Sequence, residues 1–284
     1  MPPDDLVAKA RAFNQMNLAG GLILPNAWDA ATARVLEAAG FAAIATASAS
    51  IAFARGFADG ERIGRERMLA EIALIASRVS VPVSADIEAG YGSTIADVEL
   101  TVAGVIAAGA VGINLEDSRP DDATEPLFAV EDAAGRVAAA RATAEREGVP
   151  LTINARTDPF LLGLGDSDAD RLAIAVERGN AYLAAGADVI FVPGLVDLEM
   201  VRRVAAGING PISLLAGPGS PPAGDLFAAG AHRISVGPHL MLSTLGHLRR
   251  VVMGVRDNGR FDTFSTEHFP FAEANTLFEP PDRA

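Results

Sequence analysis

The chain has 284 residues, 50% of them hydrophobic and 21% charged, a balance typical of a globular protein. Cysteine is absent, which excludes disulfides, thiolate metal sites and a catalytic thiol, and a formal charge of −13 at pH 7 disfavours binding to nucleic acid. No uncharged apolar stretch approaches the ~20 residues that cross a bilayer, and no secretory signal is visible. We therefore expect no membrane contact and a cytoplasmic location.

Short apolar runs alternate with segments that have helical periodicity along most of the chain. The runs predict eight strands, at residues 22–24, 42–45, 82–84, 111–115, 151–153, 189–192, 212–215 and 233–236. The helical segments are residues 66–79, 95–108, 131–147, 168–184, 198–206 and 239–258. This alternation predicts an α/β fold, a (β/α)8 TIM barrel over residues 1–260 with an N-terminal helix. Residues 261–284 form a C-terminal extension, which we expect to pack on a neighbouring subunit.

Two long connections, residues 50–64 and 118–130, interrupt the regular alternation. In a barrel of this kind they would lie over the open end, and loops of this length without periodicity are typical of lids and binding loops. We expect the second loop to close over the substrate.

Acidic residues follow the third and fourth predicted strands. Asp86 and Glu88 are two positions apart and share a face, and Glu116 ends the next strand. Three converging carboxylates repel one another unless a cation is present, and hard oxygen ligands suit Mg²⁺ or Mn²⁺. The alternative for the first pair is a buried ion-pair network or an N-cap cluster. Asp117 is interpreted either as a further ligand or as a loop cap.

Lysine chemistry is restricted, because Lys9 is the only lysine and precedes the first strand. A Schiff base formed from a barrel strand is therefore unavailable. A cleavage that forms an enolate would need another source of positive charge, and a divalent cation is the usual one.

Arg156 is the only basic residue at the ends of the third to fifth strands, and its planar fork matches a carboxylate or phosphoryl group. The alternative is a structural pair with Asp158. The small residues of segment 46–50 are interpreted either as a backbone nest for an anion or as a closely packed strand end. His239 lies near the end of the last strand, where we favour a role on a helix face or the surface.

Six motifs spread over nearly the whole chain resemble the isocitrate lyase/phosphoenolpyruvate mutase superfamily. They are LPNAWD (24–29), GFADG (56–60), DIEAGYG (86–92), GINLED (112–117), INARTD (153–158) and GADVIF (186–191). The resemblance implies a barrel whose eighth helix is exchanged between subunits, in a homotetramer built as a dimer of dimers. It also implies Mg²⁺ and a 2-oxo or 2-hydroxy acid substrate whose C–C or C–P bond is cleaved or formed.

The resemblance also implies roles for individual residues. Asp86 is similar to the direct metal ligand, and Glu88 and Glu116 resemble the acids that hold the ion directly or through water. Arg156 is similar to the arginine that binds the far anionic group of the substrate, and Asp59 to a functional aspartate on the second loop. The backbone amides that bind the substrate carboxylate and oxo oxygen correspond to Ala47, Ser48 and Ala49.

Departures from the superfamily patterns narrow the expected chemistry. The loop after Glu116 lacks the Lys-Lys-Cys-Gly-His signature of the isocitrate and methylisocitrate lyases, and it lacks the lysine and asparagine of the phosphonomutase gating loop. Glu88 replaces a commoner aspartate, and Ala45 stands where an aromatic side chain often backs the substrate. These differences disfavour cleavage of methylisocitrate and P–C bond chemistry.

We therefore expect a Mg²⁺-dependent lyase that cleaves a C–C bond of oxaloacetate or a substituted malate through a metal-stabilised pyruvate enolate. The alternatives are a phosphonopyruvate-type C–P enzyme and a catalytically weak homologue that binds dicarboxylates. The proton donor is left open among Tyr91, Ser48 and a metal-bound water, with Tyr91 placed among the catalytic candidates.

Overall fold

The structure is a computed structural model that describes residues 2–119, 121–122, 124–265 and 268–279. Within these residues, nine parallel strands form one sheet with the order β1-β9-β8-β7-β6-β5-β4-β3-β2. The strands are β1 (Leu22–Leu24), β2 (Asn26–Ala27), β3 (Ile44–Thr46), β4 (Val83–Asp86), β5 (Gly112–Glu116), β6 (Thr152–Arg156), β7 (Val189–Phe191), β8 (Ile212–Leu215) and β9 (Ala231–Ser235).

β1 and β2 are two parts of one barrel strand, separated by Pro25. Proline has no N–H to donate to a sheet, so the hydrogen-bonding pattern is interrupted there. β1 pairs with β9 and β2 pairs with β3, so this interrupted strand joins the two edges of the sheet. The predicted (β/α)8 barrel is confirmed.

Helices follow most of the strands. They are α1 (Asp4–Ala19), α2 (Ala30–Ala38), α3 (Ser48–Ala54), α4 (Arg65–Ala76), α5 (Ile95–Ala107), α6 (Val130–Arg146), α7 (Asp168–Ala184), α8 (Leu198–Gly207), α9 (Ala223–Ala228), α10 (His239–Asn258) and α11 (Phe271–Phe278). The six periodic segments correspond to α4–α8 and α10, and the bounds of α7 and α10 are as predicted. The prediction that residues 50–64 form a loop is wrong for its first part, because α3 is too short to show a helical period.

The N-terminal helix α1 closes the end of the barrel opposite the strand C-termini. Its Phe13 is fully buried, and a Cβ at Gly112 would lie 2.6 Å from the Phe13 ring. Glycine at this position therefore leaves the space that the ring occupies. α1 therefore closes the lower end of the barrel, and the loops that follow the strands lie at the other end.

The last helices carry apolar side chains that face outwards. The exposed large apolar residues of α10 are Leu240, Leu242, Leu245, Leu248, Val252 and Met253. α11 packs on α2 of its own chain, where Arg34 donates to the backbone oxygen of Leu277 at 2.9 Å. The packing of residues 261–284 on a neighbouring subunit and the exchange of α10 stay predictions, and residues 266–267 and 280–284 lie outside the described residues. Among the helices of the described ranges, none is long and apolar enough to cross a membrane.

Candidate active site

A cavity of about 350 Å³ lies at the C-terminal ends of the barrel strands. This is where barrels of this class place their chemistry, and the volume suits a small organic molecule. Its charged and polar side chains come from six strands, two helices and one connecting segment: Asn26, Thr46, Ser48, Asp59, Ser84, Asp86, Asn114, Asn154, Arg156, Arg233, Ser235 and His239.

Asp86 is the most firmly positioned acid of the cavity. Its Oδ2 accepts hydrogen bonds from the backbone N of Ser48 at 3.0 Å and from Ser48 Oγ at 2.8 Å. Its Oδ1 accepts from Asn114 Nδ2 at 2.9 Å, and Asn114 Oδ1 accepts in turn from Asn154 Nδ2 at 2.9 Å. Neighbouring positions of β4, β5 and β6 thus form one chain of hydrogen bonds that fixes a carboxylate at the cavity wall.

Glu88 and Tyr91 form a second, buried layer that is not part of the cavity lining. Tyr91 OH donates to Glu88 Oε1 at 2.8 Å, and the backbone N of Glu61 donates to Glu88 Oε2 at 2.6 Å. Burial raises the pKa of Glu88 to about 7, and the negative charge of Asp86 adds to this effect. Burial also raises the pKa of Tyr91. The tyrosine is therefore bound to Glu88 rather than directed at the substrate space.

The same segment holds unusual backbone conformations. Glu61, Glu88 and Tyr91 have φ values of 62°, 51° and 58°, in the left-handed region that non-glycine residues rarely adopt. Such conformations cost on the order of 1–3 kcal/mol each and persist where surrounding contacts fix them. Here the hydrogen bonds among the three residues do so.

Arg156 is held between two acids at the cavity wall. Its Nε and Nη2 donate to the two oxygens of Asp158 at 2.7 and 2.8 Å, and its Nη1 lies 2.7 Å from Glu116 Oε2. Burial disfavours its charged form, but the two acids hold the pKa of Arg156 above its ordinary value. The pairing with Asp158 that the sequence left open as an alternative is thus present, and Arg156 still lines the cavity.

The three acids predicted as metal ligands do not form one cluster. Glu88 is bound to Tyr91 and Glu61, while Glu116 is bound to Arg156 and accepts from Ser118 Oγ at 2.5 Å. Over the described part of the chain, no group of three histidine, aspartate or glutamate side chains is placed to hold a metal ion. Of the predicted ligands, Asp86 alone lines the cavity.

Asp59 lies on the connection after α3 and also lines the cavity. The surrounding protein removes water from its carboxyl group, which raises the pKa of Asp59, and repulsion from Asp86 raises it further. A carboxyl group with a raised pKa holds a proton more readily than a free one and can act as an acid or base.

Two backbone amides of the predicted anion nest at residues 46–50 are occupied by protein contacts. The backbone N of Ala47 donates to the backbone oxygen of Ala27 at 3.2 Å, and the N of Ser48 donates to Asp86. Ala47, Ser48 and Ala49 all line the cavity, and the binding of substrate by their backbone amides stays a prediction.

Asp117 has a structural position. Its Oδ2 accepts from Tyr182 OH and Thr157 Oγ1, each at 2.7 Å, and from Arg178 Nη1 at 3.0 Å. The residue is 2% exposed and absent from the cavity lining. Asp117 therefore anchors α7 to the ends of β5 and β6, and its interpretation as a metal ligand loses support.

Sequence reasoning assigned no role to several residues of the cavity. Asn114 and Asn154 lie within two of the six motifs, but their neutral amide side chains did not indicate a functional role beside the acidic residues. Asn26 Oδ1 accepts from Ser235 Oγ and from the backbone N of Gly237, each at 2.8 Å, and so binds the first strand to the last. His239, for which a helix face or the surface was favoured, is the first residue of α10 and lines the cavity. Arg233 belongs to residues 233–236, which were interpreted as an apolar strand, and it was therefore not considered as a site residue.

Comparisons with known proteins agree with the barrel fold and identify the family. The family described as phosphoenolpyruvate phosphomutase matches residues 13–256. The crystal structure of a provisionally assigned lyase/mutase from Burkholderia cenocepacia J2315 is 35% identical, with a TM-score of 0.91 over 98% of this chain and 99% of that one. Phosphonopyruvate hydrolase from Variovorax sp. (strain Pal2) is 29% identical over 80% of this chain and 79% of the relative.

Relatives with other activities match shorter parts of the chain. Oxaloacetate decarboxylase from Rhodopseudomonas palustris (strain BisB5) is 33% identical over 58% of this chain and 55% of its own length. 2-Methylisocitrate lyase from Escherichia coli (strain K12) is 31% identical over 51% and 48%. A structure of phosphonopyruvate hydrolase in complex with oxalate and Mg²⁺ is 26% identical, with a TM-score of 0.81 over 95% of this chain and 94% of that one.

Proposed function

The chain belongs to the phosphoenolpyruvate phosphomutase family, within a superfamily whose enzymes include C–C lyases, and on this basis we propose which reaction the protein catalyses. It is a divalent-metal-dependent lyase that cleaves a C–C bond of a small 2-oxo or 2-hydroxy diacid, of the oxaloacetate or substituted-malate type. The predicted superfamily and enzyme class are confirmed, and the substrate and the metal are the proposal.

The observation that carries this proposal is the position of Asp86. One carboxylate is fixed by Ser48 and Asn114 at the wall of a small cavity, with the Arg156 guanidinium in the same lining. The negative carboxylate of Asp86 suits a cation, and the positive guanidinium of Arg156 suits a carboxylate of the substrate. A small diacid bound together with a divalent cation matches both.

Mg²⁺ is the proposed cofactor, with Mn²⁺ as the alternative, because the available donors are hard carboxylate oxygens. Asp86 would hold the ion directly, and Glu88 and Glu116 would hold it through water, since their oxygens are bound by protein groups. When bound, the ion supplies positive charge that offsets the negative charge developing on the substrate oxo oxygen. The complex of phosphonopyruvate hydrolase with oxalate and Mg²⁺ supports this choice.

The remaining steps belong to side chains of the cavity. Arg156 binds the distal carboxylate, and in oxaloacetate the bond to that carboxylate breaks, which releases CO₂ and leaves pyruvate enolate. A proton must then be added to the enolate carbon. Asp59 is the proposed donor, because it lines the cavity and its pKa is raised, whereas Tyr91 OH is bound to Glu88 and Ser48 Oγ donates to Asp86.

The loop of residues 118–130 is proposed to exclude water and to select the substrate. Ser118 forms a β-bridge with Leu127, and Arg119 pairs with Asp122 at 2.8 Å and Glu125 at 2.9 Å. Asp121 contacts Arg62, which precedes α4. Residues 120 and 123 lie outside the described residues. The acidic side chains of this loop would disfavour tricarboxylates and phosphonates relative to a small dianion.

Pyruvate release from oxaloacetate in the presence of Mg²⁺ tests the proposed activity. We expect turnover with Mg²⁺ and none after treatment with EDTA, with activity restored when Mg²⁺ is added back. Binding of a dicarboxylate without any turnover would favour the alternative of a catalytically weak binding protein. Unchanged turnover in metal-free protein would contradict the role of the metal.

We also propose that the protein is a homo-oligomer, a dimer of dimers, in which a second copy covers the apolar face of α10. Leu245, Leu248 and Val252 are exposed on this helix. Analytical ultracentrifugation should give four times the chain mass of 29.3 kDa. Replacing Leu248 with Asp should shift the protein towards smaller species, because a charge in an apolar interface is costly. A monomeric parent protein would contradict this proposal.

A further inference from the structure

Arg233 is a buried arginine at the closed side of the cavity. It lies on β9, is 2% exposed and lines the cavity together with Asp86 and Asn154. Its Nε and Nη1 have no hydrogen-bond partner. Across the described residues, Arg233 also forms no ion pair within 4.0 Å. The guanidinium therefore keeps free N–H groups inside the barrel.

Other interior arginines of this protein have acceptors for most of their donors, although the Nε of Arg136 is also without a partner. Arg156 is bound by two carboxylates, and Arg136 donates to the backbone oxygens of Ala89, Gly92 and Ser93. An unpaired charge in a protein interior costs several kcal/mol. Burial lowers the pKa of Arg233 to about 9, and Asp86 is the acid that opposes this effect, so the side chain is cationic at neutral pH. A cation retained under these conditions needs a negative or polar partner.

The surroundings of Arg233 are polar but contain no paired acid. Below it, the centre of the Phe13 ring lies 6.0 Å from Cζ, which blocks that direction. Ser213, its neighbour on β8, has an unpartnered Oγ, as does Ser84, and the Oδ1 of Asn154 is also unpartnered. Hydroxyl and amide groups can hydrogen-bond water or a carboxylate but cannot neutralise the guanidinium.

We propose that Arg233 is a positioning residue whose fixed charge, at the closed side of the cavity, attracts the carboxylate of the bound substrate and opposes the charge of Asp86. This inference rests on the proposed function in assuming that a metal ion and a carboxylate ligand share the cavity. It predicts opposite effects on the two ligands when the charge is removed. An anion should bind more weakly, and a cation should bind more tightly.

Replacing Arg233 with Met tests this by two binding measurements that need no turnover. We expect Mn²⁺, followed by electron paramagnetic resonance without substrate, to bind about three- to tenfold more tightly, because a repulsive charge is lost. Oxalate, titrated calorimetrically at saturating Mn²⁺, should bind about tenfold more weakly. Arg233→Lys retains the charge and should keep the Mn²⁺ affinity of the parent. Arg141→Met serves as the matched control, because Arg141 pairs with Asp188 outside the cavity and its loss should change neither affinity.

A structural role alone would loosen the site and weaken both ligands in Arg233→Met, and that result would overturn the proposal. Oxalate affinity within twofold of the parent would overturn it as well. If the Met variant does not fold, Arg233→Gln is used for the same two binding measurements. If neither neutral variant folds while Arg233→Lys folds and binds as the parent does, the charge is needed for folding, and that result contradicts the proposal. A parent protein that binds neither Mn²⁺ nor oxalate would refute the proposed function instead.

Discussion

Replacing Asp86 with Asn is expected to lower kcat/KM by at least about 1,000-fold, or roughly 4 kcal/mol of transition-state stabilisation. The change removes the negative charge at the cavity wall. The side-chain amide N of the new asparagine can occupy the position of Oδ2. There it is a hydrogen-bond donor that faces two other donors, the backbone N and the Oγ of Ser48. We expect the affinity for Mn²⁺ to fall together with activity.

The measurements are pyruvate release at saturating Mg²⁺ and Mn²⁺ titration by electron paramagnetic resonance. Asp225→Asn is a matched control, because Asp225 is an exposed acid on α9 that is absent from the cavity lining, and it should behave as the parent. An Asp86→Asn protein that folds and binds Mn²⁺ with the affinity of the parent would remove Asp86 from the metal site.

The second large effect is expected for Arg156→Lys. A single ammonium cannot reproduce the contacts of a planar guanidinium with both Glu116 and Asp158, nor the fork that a distal carboxylate requires. We expect kcat/KM to fall by about 100-fold, close to 2.7 kcal/mol.

Binding data separate the two possible origins of this loss. If Arg156 binds the distal carboxylate, Arg156→Lys should weaken a dicarboxylate inhibitor such as malonate far more than the monocarboxylate pyruvate. Asp158→Asn is the companion variant, since it leaves the guanidinium in place and releases one of the two N–H groups that Asp158 binds. If Arg156→Lys loses equal affinity for malonate and for pyruvate, Arg156 maintains the structure of the cavity wall and does not recognise the substrate.

Much of the fold was predictable because long amphipathic helices carry a strong periodic signal. The bounds of α7 and α10 follow from their patterns, whereas the short helices α3 and α9 have too few turns to show one. The predicted strands also ended too early at β4 and β6, because their last residues, Asp86 and Arg156, are polar and break the apolar run. Two polar residues that line the cavity, Asp86 and Arg156, are thus residues that a hydrophobic pattern leaves out.

The site was predictable in its components but not in its contacts. Spacing placed Asp86, Glu88 and Glu116 near one another, yet only the folded chain shows Glu88 bound to Tyr91 and Glu116 bound to Arg156. Arg233 gave no signal, because an inward-facing charge in a strand cannot be told from an exposed one without its neighbours. Side-chain direction and partner choice depend on residues distant in sequence, such as Phe13 beneath Arg233.

The central claim is that the protein is a lyase for a small diacid that carries only carboxylates. It is tested most directly by kcat/KM, measured with Mg²⁺ through pyruvate formation, for oxaloacetate, a substituted malate such as 2,3-dimethylmalate, methylisocitrate and phosphonopyruvate. Cleavage of the dimethylmalate between C2 and C3 gives pyruvate and propionate, and the release of propionate is followed by chromatography. We predict the highest value for oxaloacetate or the substituted malate. A highest value for phosphonopyruvate or methylisocitrate would contradict the account.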